Sequence, residues 1–402
     1  MHFRRYGLHL FLFVLTLLTT TLAGAEWRNG ALMWVDENGW HAGNWFSMQE
    51  FWEGFQFSIP FLLFLTCHEF GHYFTAQWHG IRATLPFYLP LWLGFTFTIG
   101  TIGAVIQLRD SPRTRTQYFD IGIAGPLAGF VVALGILYYG FTHLPPPNYV
   151  LEINPEYKTL YPKEYARYGA DYARYAYRYP DTEENRRLKR VGQPREDLLA
   201  VGKSLIFIFF EQYIVPEAER YKIPTAYEIF HYPCLFAGFL ALLFTALNLV
   251  PIGQLDGGHI LYGLIGQEGH RRVAPVLFAG FIFYAGLGMV SPQLPLDTLL
   301  YALPLQVLLY YFIFYRTLDQ ASGRLALALG VLAAQMLISF IWPGAEGYSG
   351  WLAFGFLLGR FLGVYHPAAR YDRPLGWPRQ VLGWLALLIF VLSFSPQPIV
   401  GA

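Results

Sequence analysis

Nine apolar stretches of bilayer length divide this chain: 7–25, 54–78, 117–141, 226–250, 273–291, 297–316, 322–342, 349–365 and 379–396. A helix needs about 17–25 apolar residues to cross a bilayer, so the pattern dictates an all-α polytopic membrane protein with the lipid bilayer as its surroundings. Composition agrees. Charged residues make up 14% of the 402 residues and hydrophobic ones 54%, against roughly 25% charged in an average soluble domain. A net charge of +1 gives no reason to expect nucleic acid as a partner. Cys67 and Cys234 both lie in apolar runs. Two cysteines are too few for a disulfide framework and read as small buried hydrophobes.

The basic residues orient the spans. With residue 1 inside, the loops expected in the cytoplasm hold Arg82, Arg109, Arg113, Arg115, Arg271, Arg272, Arg316, Arg324, Arg370, Arg373 and Arg379. The short outer loops hold little beyond Arg28. This is the positive-inside bias, and it places the C-terminus outside. Residues 1–25 carry Arg4 and Arg5 ahead of an apolar centre and end in Ala23-Gly24-Ala25. That is the form of a signal peptide as well as of a first transmembrane helix, and both readings stand.

The segment 142–225 is long, charged with both signs and rich in tyrosine. Loops this long cross regardless of charge, so it reads as an extracytoplasmic insert, polar and partly helical, with tyrosines at the headgroup layer. At its end "LLAVGKSLIFIFFEQYIVP" (198–216) turns apolar, as an interfacial helix or a re-entrant piece. Its "GKS" is no phosphate loop, because Asp197 stands where that motif needs glycine.

Ionisable residues inside apolar runs are costly, and they point to function. The run 54–78 contains "HEFGH": His68, Glu69 and His72. Histidines four apart share one helix face and can both reach a tetrahedral zinc at about 2.0–2.1 Å. The glutamate between them is placed to take a proton from water rather than to bind the metal. A catalytic zinc needs a third protein ligand and an open position. Asp256 in "NLVPIGQLDGGHI" is the best candidate: Pro251 breaks the run before it, and Gly257 and Gly258 let the backbone bend close. An alternative for Asp256 is a plain helix cap. His259 stands as a weaker candidate for ligand or outer partner. His79, His143, His231 and His270 sit near run ends, where a histidine needs no function.

Together "HEFGH" and, downstream, "NLVPIGQLDGGH" resemble the site-2 protease family of intramembrane zinc metalloproteases, whose pattern is H-E-x-x-H plus N-x-x-P-x-x-x-L-D-G. His68, Glu69, His72, Asn248, Pro251, Leu255, Asp256 and Gly257 occupy the fixed positions. "GIAGPLAGF" (122–130) is similar to the Gly-Pro segment of the family's middle core helix. "FTFTIGTIGAVIQLRD" (95–110) resembles its sheet-like segment, and its alternation suits pairing with an unwound substrate. The resemblance implies a three-helix metalloprotease core with a small membrane-associated β segment and additional transmembrane helices. In it, His68, His72 and Asp256 bind Zn2+, Glu69 activates water, and Asn248 holds the substrate carbonyl or its oxyanion. It assigns 54–141 to the first catalytic core segment, 226–265 to the third core helix and 273–396 to C-terminal transmembrane helices. No PDZ-like domain is evident.

The function expected is regulated intramembrane proteolysis, the cutting of a transmembrane protein substrate within or next to its span. A prenyl-protein-type membrane zincin would take its third ligand from a downstream glutamate. A non-catalytic scaffold would tolerate loss of Glu69 or Asp256, and both are present. A transporter would show inverted repeats with paired broken helices, and one break is seen. Short loops and the signal-like N-terminus suggest a bacterial inner membrane, with the active site towards the cytoplasmic side.

Overall fold

The computed structural model describes residues 2–30, 33–36, 39–42, 47–94, 98–146, 148–153 and 199–401. The Tyr-rich part of the insert, and with it the expected helix there, lies outside the described residues. The fold is mostly helical. Residues 1–109, 127–245 and 392–402 form one compact unit, and 110–126 with 246–391 form a second.

In the first unit α1 (His2–Asn29) and α2 (Met48–Trp78) pack side by side. Glycines make this possible. A Cβ on Gly24 would lie 2.8 Å from the Gly54 carbonyl, and one on Gly54 would meet the Thr21 carbonyl. Thr21 and Ser58 share a hydroxyl hydrogen bond of 2.9 Å inside the contact. A capping box between Ser47 and Glu50 starts α2, satisfying two orphan amides at its first turn. Two short strands, β1 (Met33–Asp36) and β2 (Gly39–Ala42), pair antiparallel between the helices in sequence.

A second hairpin follows. β3 (Phe87–Leu91) pairs antiparallel with β4 (Gly100–Val105), with a register shift at Leu89/Pro90. Pro90 lacks the amide that a regular ladder would use, and a bulge is where a strand tolerates it. The hairpin docks on α1 through Thr19 Oγ1, which donates to the Gly100 carbonyl at 2.7 Å, and Trp27 Nε1, which donates to Thr98 at 2.8 Å. Tyr88 and Thr66 share a hydroxyl bond of 2.8 Å that ties it to α2. The extended segment expected over 95–110 is thus the second half of a hairpin whose first strand lies upstream.

Aromatic side chains fill the core of this unit: Phe57, Phe61, Phe64, Phe141, Phe207 and Phe236 are all buried. They come from α2, from α3 (Arg115–Thr142), from α5 (Leu205–Tyr213) and from α6 (Pro233–Asn248). The short α4 (Tyr149–Ile153) precedes the insert. The apolar end of the insert forms β5 (Leu199–Val201) before α5, whose N-cap is Ser204. β5 pairs with β6 (Ile399–Gly401).

The second unit holds α7 (Asp256–Gly286), α8 (Leu296–Ile313), α9 (Ala321–Ile341), α10 (Trp351–Leu357) and α11 (Trp377–Ser393). α7 is two helices that meet at Gly266, whose φ of 73° and ψ of −179° are not helical. The helix expected over 273–291 is the second of them, and it begins earlier than expected, taking in Glu268, Arg271 and Arg272. The run at 349–365 yields only α10 and a π turn to Leu362, stopped by Gly363 at φ 87°. Among the described residues, four helices are long and apolar enough to cross a membrane: 6–29, 115–142, 296–316 and 321–341. α2 is long enough, and its polar residues keep it out of that set.

Candidate metal centre

α2 carries the H-E-x-x-H residues in its last three turns, and all three are buried: His68 is 3% exposed, Glu69 and His72 7% each. One turn apart on the helix, the imidazoles meet edge to face, with ring centroids 4.8 Å apart and Nε2 to Nε2 at 3.1 Å. Two ring nitrogens at that distance need a shared proton or a cation between them. A metal at about 2.05 Å from each would see an angle of about 100°, close to tetrahedral. The pair therefore fits zinc.

Packing fixes this face of α2. A Cβ on Gly129 of α3 would lie 2.9 Å from the Phe64 ring and 3.2 Å from His68 Cβ. The approach of α3 is so close that only glycine leaves His68 its position, which gives the "GIAGPLAGF" segment a physical role.

In the second unit α6 ends at Asn248, and the chain makes a tight loop before α7. Gly253 takes φ 63°, and its amide donates to the Val364 carbonyl at 3.0 Å. The loop folds back so far that a Cβ on Gly257 would strike the Leu249 carbonyl and one on Gly258 the Gly253 carbonyl. The "DGG" spacing is thus required by the backbone. Leu255 is the N-cap and makes no side-chain cap bond; Asp256 is the first helical residue. The plain cap reading of Asp256 does not hold. Gly122 of α3 presses on this turn, since a Cβ there would lie 2.6 Å from His259 Cβ and 3.4 Å from the Asp256 carbonyl oxygen.

His259 has a partner that the sequence did not reveal. Its Nδ1 lies 2.6 Å from His366 Nε2, and His366 Nδ1 lies 2.6 Å from the Pro367 carbonyl. A carbonyl only accepts, so His366 Nδ1–H donates to it, and with His366 neutral its Nε2 accepts from His259 Nδ1–H. His366 also stacks on Tyr262, centroids 4.0 Å apart and 8° from parallel. Burial, reinforced by the charge of His259, holds the His366 pKa down to about 3, which keeps it neutral at ordinary pH. Asp120 and Arg379 form a two-pronged ion pair at 2.7 and 2.9 Å, and Arg115 Nε donates to the Gly263 carbonyl at 2.8 Å. Nothing in local spacing links these residues, which lie 107 to 259 positions apart.

Residues 56–291 match Peptidase family M50. The chain belongs to this family. A probable zinc metalloprotease, EGY1, chloroplastic, of Oryza sativa subsp. japonica is 28% identical over 240 residues, covering 59% of this chain and 32% of that protein. A second, EGY2 of Oryza sativa subsp. indica, is 24% identical over 207 residues, 52% of this chain and 28% of that protein. EGY2 of Arabidopsis thaliana is 22% identical over 221 residues, 55% of this chain and 30% of that protein. The chain thus spans about a third of the length of the curated relatives it matches. No solved structure matches. Family and relatives give zinc as the metal, the ion that the imidazole pair fits. The four apolar helices indicate membrane association. These relatives are chloroplastic plant proteins by name, so the bacterial inner membrane expected from the short loops finds no support in them.

Proposed function

We propose that this M50 member is a membrane-embedded zinc endopeptidase that hydrolyses peptide bonds within or next to the transmembrane segments of other membrane proteins. The carrying observation is the pair of imidazoles 3.1 Å apart, buried beside a glutamate just after the apolar stretch of α2. Such a placement suits a metal and water and has no use in a plain lipid-facing span. In this reading His68, His72 and Asp256 are the zinc ligands, two imidazoles and one carboxylate.

Zinc, when bound, supplies a Lewis acid that brings the pKa of water towards about 7. The residues of the chain do the rest. Glu69 accepts the proton of the attacking water and returns it to the leaving amine. Asn248, at the end of α6, donates its amide to the substrate carbonyl as negative charge develops there. The β3–β4 hairpin offers backbone groups to an unwound substrate strand, because a peptide bond still inside a helix is shielded. The catalytic core in this reading comprises 54–141 and 226–265, facing the cytoplasmic side where the basic loops lie. Release of a membrane-tethered regulator and removal of signal-peptide remnants both fit this chemistry.

The test is zinc per protein in purified wild type, Asp256→Ala and Glu69→Ala, followed by cleavage of a reporter transmembrane segment. About one zinc is expected in wild type and Glu69→Ala and much less in Asp256→Ala, with cleavage in wild type alone. A wild type that stays metal-free after zinc loading would sink the proposal. Full zinc in Asp256→Ala would remove that residue as a ligand.

A further inference from the structure

The far end of α8 carries a charge cluster that the peptidase chemistry does not use. Tyr315, in the turn Phe314–Arg316, is 44% exposed. The guanidinium carbon of Arg324 lies 4.8 Å from its ring centre and that of Arg360 4.2 Å. Arg324 also lies 5.1 Å from the ring centre of Tyr311. Arg316, next in sequence, is held by a hydrogen bond of 2.7 Å to the Phe361 carbonyl. Two guanidiniums are thereby fixed over one ring, with a third, Arg316, held beside it in sequence. The two over Tyr315 are closer together than the screening length of about 10 Å at 0.1 M salt. No carboxylate among the described residues pairs with any of the three, not even Asp319 in the same connection. Arg324 Nε is shielded from water and has no acceptor. The rings offset part of the mutual repulsion through cation–π attraction. An anion would remove the remainder.

The surroundings say which anion. Leading up to Tyr315, α8 exposes Tyr301, Leu305, Leu308 and Phe312, at steps of four, three, four and three residues that keep them on one helix face. Beside the cluster Leu357, Phe361 and Leu362 are exposed as well. An apolar stripe that ends in clustered guanidiniums matches a molecule with a phosphate at one end and hydrocarbon behind it. The positive-inside bias puts this end of α8 at the cytoplasmic surface, where anionic headgroups add attraction for each nearby cation.

We propose that Arg324 and Arg360 over Tyr315, with the neighbouring Arg316, bind the phosphate headgroup of an anionic phospholipid whose acyl chain lies along the exposed face of α8. The bidentate fork of arginine suits phosphate oxygens.

The protein in phosphatidylcholine nanodiscs, with and without phosphatidylglycerol, tests this by the midpoint of thermal unfolding. Phosphatidylglycerol is expected to raise the wild-type midpoint. In R324Q/R360Q the lipid fraction giving half the rise should increase about tenfold or more. R370Q/R373Q changes net charge equally outside the cluster and should keep the wild-type response. Should R324Q/R360Q fail to fold, R360Q alone should still weaken the response several-fold. Equal responses of wild type and the cluster variant would overturn the proposal, as would an equal loss in R370Q/R373Q, which would mean diffuse charge. Inorganic phosphate added to phosphatidylcholine nanodiscs should do nothing. The same rise with phosphate alone would make the site one for a free anion and overturn the lipid reading.

Discussion

The two units bury polar groups in different ways. In the first, backbones meet directly through Gly24 and Gly54, the core is aromatic, and the buried ionisable groups include His68, Glu69 and His72 together with Glu26 and Glu228. In the second, several buried polar side chains satisfy one another, while His270 is buried with neither ring nitrogen hydrogen-bonded. Gln306 Nε2 donates to the Tyr310 hydroxyl at 2.7 Å, that hydroxyl donates to Gln335 Oε1 at 3.0 Å, and Gln335 Nε2 donates to the Phe283 carbonyl at 2.7 Å. His259, His366 and Pro367 form another chain, and Asp120 with Arg379 a third. A buried group with a complementary partner is structure, because its hydrogen bonds offset the cost of burial. The His68 and His72 ring nitrogens, 3.1 Å apart, share a proton or a cation, and the proposed function assigns them zinc. Burial alone therefore does not mark a site; the chemical sense of the partner does.

The largest expected effect breaks the comparison at its centre. His72→Ala should take zinc content from about one per protein to near none while the helical circular dichroism persists. Loss of helix together with zinc would mean that the pair is structural like those of the second unit.

Next come the glycine contacts. Gly54→Ala should destabilise by about 3 kcal/mol, the upper end of overpacking, because the Thr21 carbonyl that it meets is backbone and cannot turn aside. Denaturant midpoints at constant slope would measure it. Gly286→Ala meets the Tyr310 hydroxyl instead. It should cost about 2 kcal/mol, and Tyr310→Phe in the same chain should recover part of that. Additive losses in the double variant would show that the hydroxyl is not the obstacle.

The last effect appears only in acid. His366 has a folded pKa of about 3 against about 6.5 unfolded. The unfolded state thus binds more protons between these values, and stability falls as pH drops from 6.5 towards 3. His366→Gln should flatten this limb of the thermal midpoint against pH. An unchanged slope would assign the acid sensitivity elsewhere.

The sequence by itself determined whatever depends on neighbours along one element. Apolar runs gave a polytopic helical fold, because backbone in lipid must satisfy itself. The step from His68 to His72 put both imidazoles on one face, because a helix turns every 3.6 residues. Pro251 and the glycines after Asp256 announced the break before α7. What only the tertiary structure decided lies between distant parts of the chain. β3 went unnoticed because a strand with Pro90 in it reads as none. The early start of the second helix of α7 was hidden by its charged residues Glu268, Arg271 and Arg272, which look like a loop. His366 fixes the tautomer of His259 from 107 residues away, and Gly129 makes room for His68 from another helix. Local periodicity carries no record of such contacts, since they depend on which faces meet once the helices have packed.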